Sequence, residues 1–582
     1  MTNPILANDS YKLSHRNQLP KNTTKIYSHL TPRFVKYLKQ KFPSMDDKVI
    51  VYGLQSTIAI VTERWNKEFF QRPWDDIEAE TLHVLTPMLG WTSVGLAHFK
   101  DLHTLGYLPL EFKALPEGSH VGINIPVLTV QNTHPDFAWL TNFVESTILN
   151  NVYKPMTVAT LSLELARLRN KYFDLTVSDQ SGIDFALHDF SYRGHSGHDS
   201  ASHTISAYLL YTKGTDTMSA VAFAQEYYKA GKDIAGSIPA FEHSTATLNI
   251  QLYRNVLQTT SPSELDVEEN TYGLGIQACR KVRDQLIAAG ASQLEIELAI
   301  GETFSLARNL LEVYPVGLFA YVSDSYNYQR LVNVIIPALK DVILSRDGKL
   351  VIRPDSGNPV HIVCGYVPVI AEEDTIQDWY KEVYTIPPYN CLKTKDGSYY
   401  AFNPGVDEYG EFSHNIEKIT EEELKGSIES LWDTFGGTVN DKGYKVLDSH
   451  IGLVYGDGIN YKRIQDIYQN LLNKGFASSN VALACGAYML ANLTRDDLGF
   501  AVKCSYAEVN GQGIAVYKSP ATDPSKASKA GLFQVIKKYD GYILLDNVSE
   551  EDEKEGELKT IWKDGVFTSL TTFEEIKSRL PL

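Results

Sequence analysis

The sequence predicts an α/β fold built on parallel strands, and three observations carry that prediction. The first is a grammar that recurs four times: a short apolar run ends on a carboxylate or guanidinium and opens into a loop. It is seen in Phe185-Ala-Leu-His-Asp-Phe-Ser-Tyr-Arg-Gly194, Leu318-Phe-Ala-Tyr-Val-Ser-Asp324, Leu350-Val-Ile-Arg-Pro-Asp355 and Ile451-Gly-Leu-Val-Tyr-Gly-Asp457. The second is the alternation of β-like runs with helical periodicity from about 156 to 505, which fits an α/β barrel or a doubly wound sheet. The third is size, since 582 residues exceed one simple core and imply two or three structural domains. In a parallel barrel the C-terminal strand ends converge on one mouth, where such folds do chemistry. A mouth rich in Asp and Arg suits a substrate bearing phosphates and hydroxyls.

Along the chain, residues 1–155 read as a β-rich N-terminal domain of short extended runs broken by Pro and Gly. Phe112-Lys-Ala-Leu-Pro-Glu-Gly-Ser119 followed by Pro126-Val-Leu-Thr-Val130 reads as strand, turn, strand. Residues 156–504 form the α/β catalytic domain, with helices expected over Leu161 to Tyr172, Ser219 to Tyr228 and Tyr461 to Leu472. Two stretches, 250–312 and 365–445, are expected as insertions on its surface, the first containing a helix from Gln277 to Leu311. The acidic run Ser549-Glu-Glu-Asp-Glu-Lys-Glu-Gly556 is expected as a solvated turn.

Composition excludes several classes of function. A formal charge of −17 argues against a broad nucleic-acid surface, because phosphate binding needs clustered cations. It leaves room for a small basic pocket. The five cysteines are odd in number, far apart and without a Cys-x-x-Cys pair, so neither a disulfide framework nor a zinc ribbon is indicated. Met1 to Ser10 lacks the basic and apolar regions of a secretory signal. Apolar stretches such as Val481 to Leu490 are too short to span a bilayer. The expectation is a cytoplasmic protein with neither nucleic-acid nor membrane partners.

The chemistry-bearing motifs follow. In Arg353-Pro-Asp-Ser-Gly-Asn-Pro359, Pro354 fixes φ and Gly357 permits a reversal, so Arg353 and Asp355 sit two apart at a strand end. Arg there holds a phosphate and Asp accepts a ribose hydroxyl, or the pair only closes the strand with a salt bridge. Gly456-Asp-Gly458 lets backbone and carboxylate approach a ligand closely, though Asp-Gly is also an ordinary turn. Glu242-His243 is either a structural pair or a nucleophile oriented by its carboxylate. Asp216, in Gly214-Thr-Asp-Thr217, stands where a helix cap is common. His188, Asp189, His195, His198, Asp199 and His203 suggest a second chemistry, a metal-dependent phosphohydrolase on His195, His198 and Asp199. Gly194 and Gly197 make that segment read as a loop. Gly511-Gln-Gly513 lacks the third glycine of a dinucleotide fingerprint, and no phosphate-binding G-x-x-x-x-G-K-[ST] occurs.

Taken in register, many of these blocks resemble the nicotinamide phosphoribosyltransferase family of type II phosphoribosyltransferases. The resemblance runs from Asp9-Ser-Tyr-Lys12 through Tyr52-Gly-Leu-Gln55, Thr157-Val-Ala-Thr160, His188 to Gly194, Lys213 to Thr217 and Ser237 to Thr245. It continues through Val322 to Tyr326, Ile352 to Pro359, Gly456 to Gly458, Leu493-Thr-Arg-Asp496 and Lys503-Cys-Ser-Tyr506. It implies an α/β barrel with an antiparallel β-rich domain completed by residues from about 505 to 582. It implies transfer of phosphoribosyl from phosphoribosyl pyrophosphate to nicotinamide, with Mg2+, coupled to ATP through a phosphohistidine, in a homodimer with shared sites.

By the same resemblance, Phe190 stacks on nicotinamide, with Tyr11 of a second subunit opposite, and Asp216 accepts the amide N–H. Arg353 lines the base pocket, Asp355 and Gly456 lie at the ribose, and Arg193, Arg33, Arg495 and Lys503 bind phosphates. Asp324 and Asp457 stand near magnesium, His243 is phosphorylated beside Glu242, and Ser237 and Gly486 complete the substrate-binding set. The sequence departs from the family where its glycine run is Cys485-Gly-Ala-Tyr488, with Ala487 and Tyr488 expected to crowd a phosphate cradle. It departs again at Ala320, in place of a serine, and at His195 and His198. Alternatives are a nicotinate phosphoribosyltransferase and a non-catalytic binding relative.

Overall fold

The computed structural model describes residues 2–259, 271–370, 390–406, 412–519, 521–522, 528–539 and 541–582. Six parallel strands form its centre, in the spatial order Gly214–Thr215, Leu187–Asp189, Val481–Cys485, Ile451–Tyr455, Asp347–Arg353 and Val316–Val322. Neither edge is left open. Gly236 N donates to Lys213 O and Thr215 N to Gly236 O on one side, while Ala320 N donates to Pro239 O and Phe241 N to Ala320 O on the other. Residues 236–241 thus close the sheet into a barrel, and the doubly wound alternative falls away. Period-2 alternation sets which side chains enter it. In Asp347–Arg353, Leu350 and Ile352 are buried beneath the outer helices, and Lys349, Val351 and Arg353 line the interior. Ala320, Gly452 and Ala482 are small, so the interior holds a cavity of about 480 Å³.

Helices Glu145–Thr176, Met218–Tyr228 and Tyr461–Asn473 cover the expected segments. The expected helix from Gln277 to Leu311 divides into Thr271–Ala288 and Gln293–Arg308. Gly290 takes φ +73° between them, and Ser292 with Glu295 forms a capping box that restarts the second. That second helix buries Ile296, Ala299, Ile300, Phe304 and Leu306 and leads into Val316–Val322. This helix packs into the main core rather than standing out as an insertion; 260–270 lie outside the described residues.

Segment 365–445 is more regular than its composition suggested. Val367–Ile370, Asn390–Lys393, Tyr399–Val406 and Phe412–Ile419 form a four-stranded sheet. Its small core is Tyr366, Cys391, Ala401 and Ile419; 371–389 and 407–411 lie outside the described residues.

The β-rich part is built on a seven-stranded sheet that joins both ends of the chain. Its order is Gln512–Ala515, Ala501–Val509, Thr23–Thr31, Leu128–Asn132, Leu110–Ala114, Lys559–Lys563 and Val566–Phe567. Helix Glu145–Thr176 runs through the expected boundary at 155. The acidic run is a helix, Glu550–Glu555, capped by Ser549. Glu553 is buried against Lys113, Nζ to Oε2 2.6 Å, so this segment is pinned to the sheet and is not a solvated turn. Among the described residues no helix is long and apolar enough to cross a membrane.

Burial makes part of this core acid-sensitive. His203 has Nε2 2.8 Å from Ser56 Oγ and its ring stacked on Phe223 at 4.8 Å. Burial pushes its pKa down from 6.5 to about 3. The unfolded chain takes up this proton first, so the stability held by neutral His203 is present above 6.5 and is lost as pH falls toward 3. The slope is at most about 1.4 kcal/mol per pH unit. His203→Gln, which cannot titrate, should lose less unfolding free energy between about pH 6.5 and pH 5 than the parent, by up to roughly 1.7 kcal/mol. Urea titrations at the two pH values measure this; equal slopes assign the sensitivity to other buried imidazoles, such as His29 and His98.

Candidate active site

The C-terminal ends of the barrel strands bring two groups of expected residues together. The first surrounds the cavity: His188, Phe190, Asp216, Ser237 and Arg353 line it with Ile238, Ala320 and Val351. Asp189, fully buried, positions two of them. Its Oδ1 accepts from Ser191 N at 2.9 Å and Ser191 Oγ at 2.5 Å, and its Oδ2 from Thr215 Oγ1 at 2.7 Å and Thr217 Oγ1 at 2.6 Å. A buried carboxylate needs this satisfaction. The result is a staple that holds the Phe190 loop against the Asp216 loop, reinforced by Asp216 N donating to Asp189 O.

Asp216 makes no helix cap; Met218–Tyr228 begins at Thr217 without a side-chain cap bond. The Asp216 carboxylate turns instead toward His188 and Ser237. Burial pushes its pKa up, but hydrogen bonds from His188 and Ser237 prevail and hold it below the usual carboxylate range. Arg353 reaches across the mouth, its Nη2 donating to Phe241 O at 2.9 Å while its buried Nε has no hydrogen-bond partner among the described residues.

The second group is a carboxylate–imidazole cluster. His243 Nε2 lies 3.6 Å from Asp324 Oδ1 and 3.9 Å from Asp355 Oδ2, and its Nδ1 lies 3.4 Å from Ser325 Oγ. Asp324 Oδ2 accepts from Asp355 N at 3.1 Å and Ser356 Oγ at 2.5 Å, while Oδ1 is buried without a hydrogen-bond partner among the described residues. Gly456 packs so closely that a Cβ there would lie 2.8 Å from Asp355 Oδ1 and 3.7 Å from Phe190 Cε2. Glycine at 456 thus links the two groups.

Glu242, expected to orient His243, caps helix His243–Tyr253 instead. It accepts from Ser244 Oγ and from Thr245 N and Oγ1, and these bonds hold its pKa down. The carboxylates that face His243 are Asp324 and Asp355.

Arg193 and Asp457 are exposed. Arg33, Arg495 and Lys503 do not line the barrel cavity. Burial and then Arg495 lower the pKa of Arg33, and burial, Arg33 and Lys518 lower that of Lys503. This is a crowded cationic patch suited to an anion. Tyr11 lies in the N-terminal turn Ser10–Ser14, 57% exposed, its ring edge-on to His15 at 5.0 Å.

Gly486 precedes the short helix Ala487–Leu490. The expected crowding resolves differently here: a Cβ at Gly194 would stand 2.1 Å from Ala487 Cβ, so Gly194 yields the space, and Tyr488 is 69% exposed. The segment carrying the phosphohydrolase alternative is helical where a loop is expected. His198, Asp199 and His203 lie on helix His198–Tyr208, not a loop, and His195 Nε2 is 3.0 Å from Ser191 Oγ, with its pKa pushed down to about 4 by burial. Among the described residues no three His, Cys, Asp or Glu side chains form a metal-ligating group.

Comparison with known proteins adds independent findings. The Nicotinate phosphoribosyltransferase (NAPRTase) family matches residues 185–564, and the Nicotinamide phosphoribosyltransferase N-terminal domain matches 3–71. The nicotinamide phosphoribosyltransferase of Acinetobacter baylyi is 34% identical over 99% of this chain and 97% of its own length. That of Mycoplasma pneumoniae is 29% identical over 91% of this chain and 95% of its own. The crystal structure of human nicotinic acid phosphoribosyltransferase aligns with a TM-score of 0.50 at 15% identity, over 100% of this chain and 94% of that one. At that identity the likeness concerns the fold.

Proposed function

The chain belongs to the nicotinate phosphoribosyltransferase family, and on that premise we propose that it joins nicotinamide to phosphoribosyl pyrophosphate in NAD salvage. The pyridine nitrogen attacks C1 of the sugar, the C1–O bond breaks, and pyrophosphate leaves with the electron pair. The observation that carries this reading is Asp216 beside Phe190 at the cavity mouth. A flat ring orients a flat base without charge, and a carboxylate receives the amide N–H of nicotinamide. Arg353 bounds the base pocket, and Asp355 with the close backbone at Gly456 addresses the ribose.

Magnesium suits the Asp324 locus, where one buried carboxylate oxygen has no hydrogen-bond partner among the described residues, since hard cations take one or two carboxylates together with phosphates. Asp324 and Asp457 would hold it, and when bound it neutralises the departing pyrophosphate. His243, faced by Asp324 and Asp355, is the proposed acceptor of the ATP γ-phosphoryl group, whose hydrolysis draws the synthesis forward. The substrates are soluble metabolites, and the proposed location is the cytoplasm.

Tyr11 and the patch Arg33, Arg495 and Lys503 are proposed to complete the mouth of a second copy in a homodimer. None of the four lines the cavity of its own chain, which supports this. Tyr11→Ala and Asp216→Ala proteins, each inactive alone, should regain activity on mixing under conditions where labelled subunits exchange. Exchange without recovered activity would refute the shared site. The reaction itself is tested by incubating the protein with phosphoribosyl pyrophosphate, magnesium and nicotinamide, with and without ATP, and identifying the product by mass. Nicotinamide mononucleotide is expected; no product with ATP present contradicts the reading.

A further inference from the structure

We propose that His188 is a positioning residue that determines base specificity by fixing the Asp216 carboxylate, an inference that rests on the reaction proposed above. The strand Leu187–Asp189 places His188 between Gly214 and Ala484 on its two neighbours. Its side chain enters the cavity, and its ring meets Phe190 edge-on at 4.9 Å. Its Nε2 lies 2.9 Å from Asp216 Oδ1, and Ser237 Oγ donates to that same oxygen at 2.5 Å. With Nε2–H and Oγ–H on one oxygen, the carboxylate cannot rotate freely. No described protein group donates to Oδ2, so one oriented acceptor remains for a ligand.

The imidazole is itself held. A Cβ at Gly214 would lie 2.7 Å from His188 Nδ1 and 2.9 Å from Leu187 O, so only glycine allows the ring this position. The one imidazole therefore ties the aromatic slot to the acceptor. Removing it would leave the slot and free the acceptor to turn. A loose carboxylate meets the amide N–H less often, and it can turn away from the carboxylate of nicotinate. Both effects erode discrimination in the same direction.

The test compares His188→Ala, His188→Phe and His188→Gln with the parent. Ala and Phe should raise the KM for nicotinamide about tenfold and narrow the nicotinamide-to-nicotinate preference about tenfold. The KM for phosphoribosyl pyrophosphate should stay within about twofold. Gln, which keeps an N–H donor of similar reach, should recover most of both losses. Ser237→Ala, which removes the second donor, should narrow the preference in the same direction and covers the case in which His188 variants fail to fold. A Phe variant that matches the parent, or a Gln variant no better than Ala, would overturn the proposal and leave His188 as wall. A parent that makes no mononucleotide from nicotinamide would overturn the reaction and this inference together. A parent active on nicotinamide whose His188 and Ser237 variants keep its preference sinks this inference alone.

Discussion

The Asp216→Ser variant should prefer nicotinamide over nicotinate by about a hundredfold less than the parent. Asp216 stands at the cavity mouth as an ionised acceptor, held below the usual range by His188 and Ser237 despite its burial. It accepts a hydrogen bond from an amide N–H and donates none. Nicotinate would bring a second carboxylate against it, in a slot walled by Phe190, Ile238 and Val351 where repulsion is weakly screened. Serine removes the charge and can donate. Most of the change should therefore be a gain on nicotinate rather than a loss on nicotinamide. The fold should tolerate it, because Asp189 and not Asp216 staples the two loops. Steady-state kinetics on both bases reads the effect; an unchanged ratio removes Asp216 from base selection.

His243→Ala should lower ATP hydrolysis a thousandfold or more and leave slow, ATP-independent synthesis in place. The imidazole nitrogen is the proposed phosphoryl acceptor, and alanine offers no substitute. Structural damage does not explain such a loss. His243 is 45% exposed in its side chain, and the cap of its helix is Glu242. The proposed base contacts, Phe190 and Asp216, follow other strands, so the uncoupled reaction should survive. ATP turnover equal to that of the parent would return His243 to a structural role.

Much of this architecture was legible because the barrel strands carry their chemistry at their ends. Asp324, Arg353, Asp355 and Asp457 were visible as polar stops after apolar runs. The closing stave was not visible: Gly236-Ser-Ile-Pro-Ala240 is short, contains Pro239, and pairs only through isolated bridges to Gly214 and Ala320. Such pairing leaves no period to read. Glu242 was misread because adjacency in sequence is not adjacency in space; at a helix start its carboxylate turns back to the free N–H groups. Asp189 was seen as part of a motif, but its role depends on Thr215 and Thr217, which only the barrel brings near. The split of 271–308 was available in Gly290-Ala-Ser292 and was overridden by strong flanking helical periodicity. Glu553 was hidden by its acidic neighbours, since pairing with Lys113 links residues 440 apart in sequence.

The central claim is that this mouth selects nicotinamide for phosphoribosyl transfer. It is tested most directly by competition in one vessel. Equal concentrations of nicotinamide and nicotinate are given limiting phosphoribosyl pyrophosphate with magnesium and ATP, and both mononucleotides are quantified by chromatography. Their ratio equals the ratio of kcat/KM values, whatever the total activity. The account predicts nicotinamide mononucleotide in excess by about a hundredfold or more. Comparable amounts of the two products, or an excess of the nicotinate product, would contradict it.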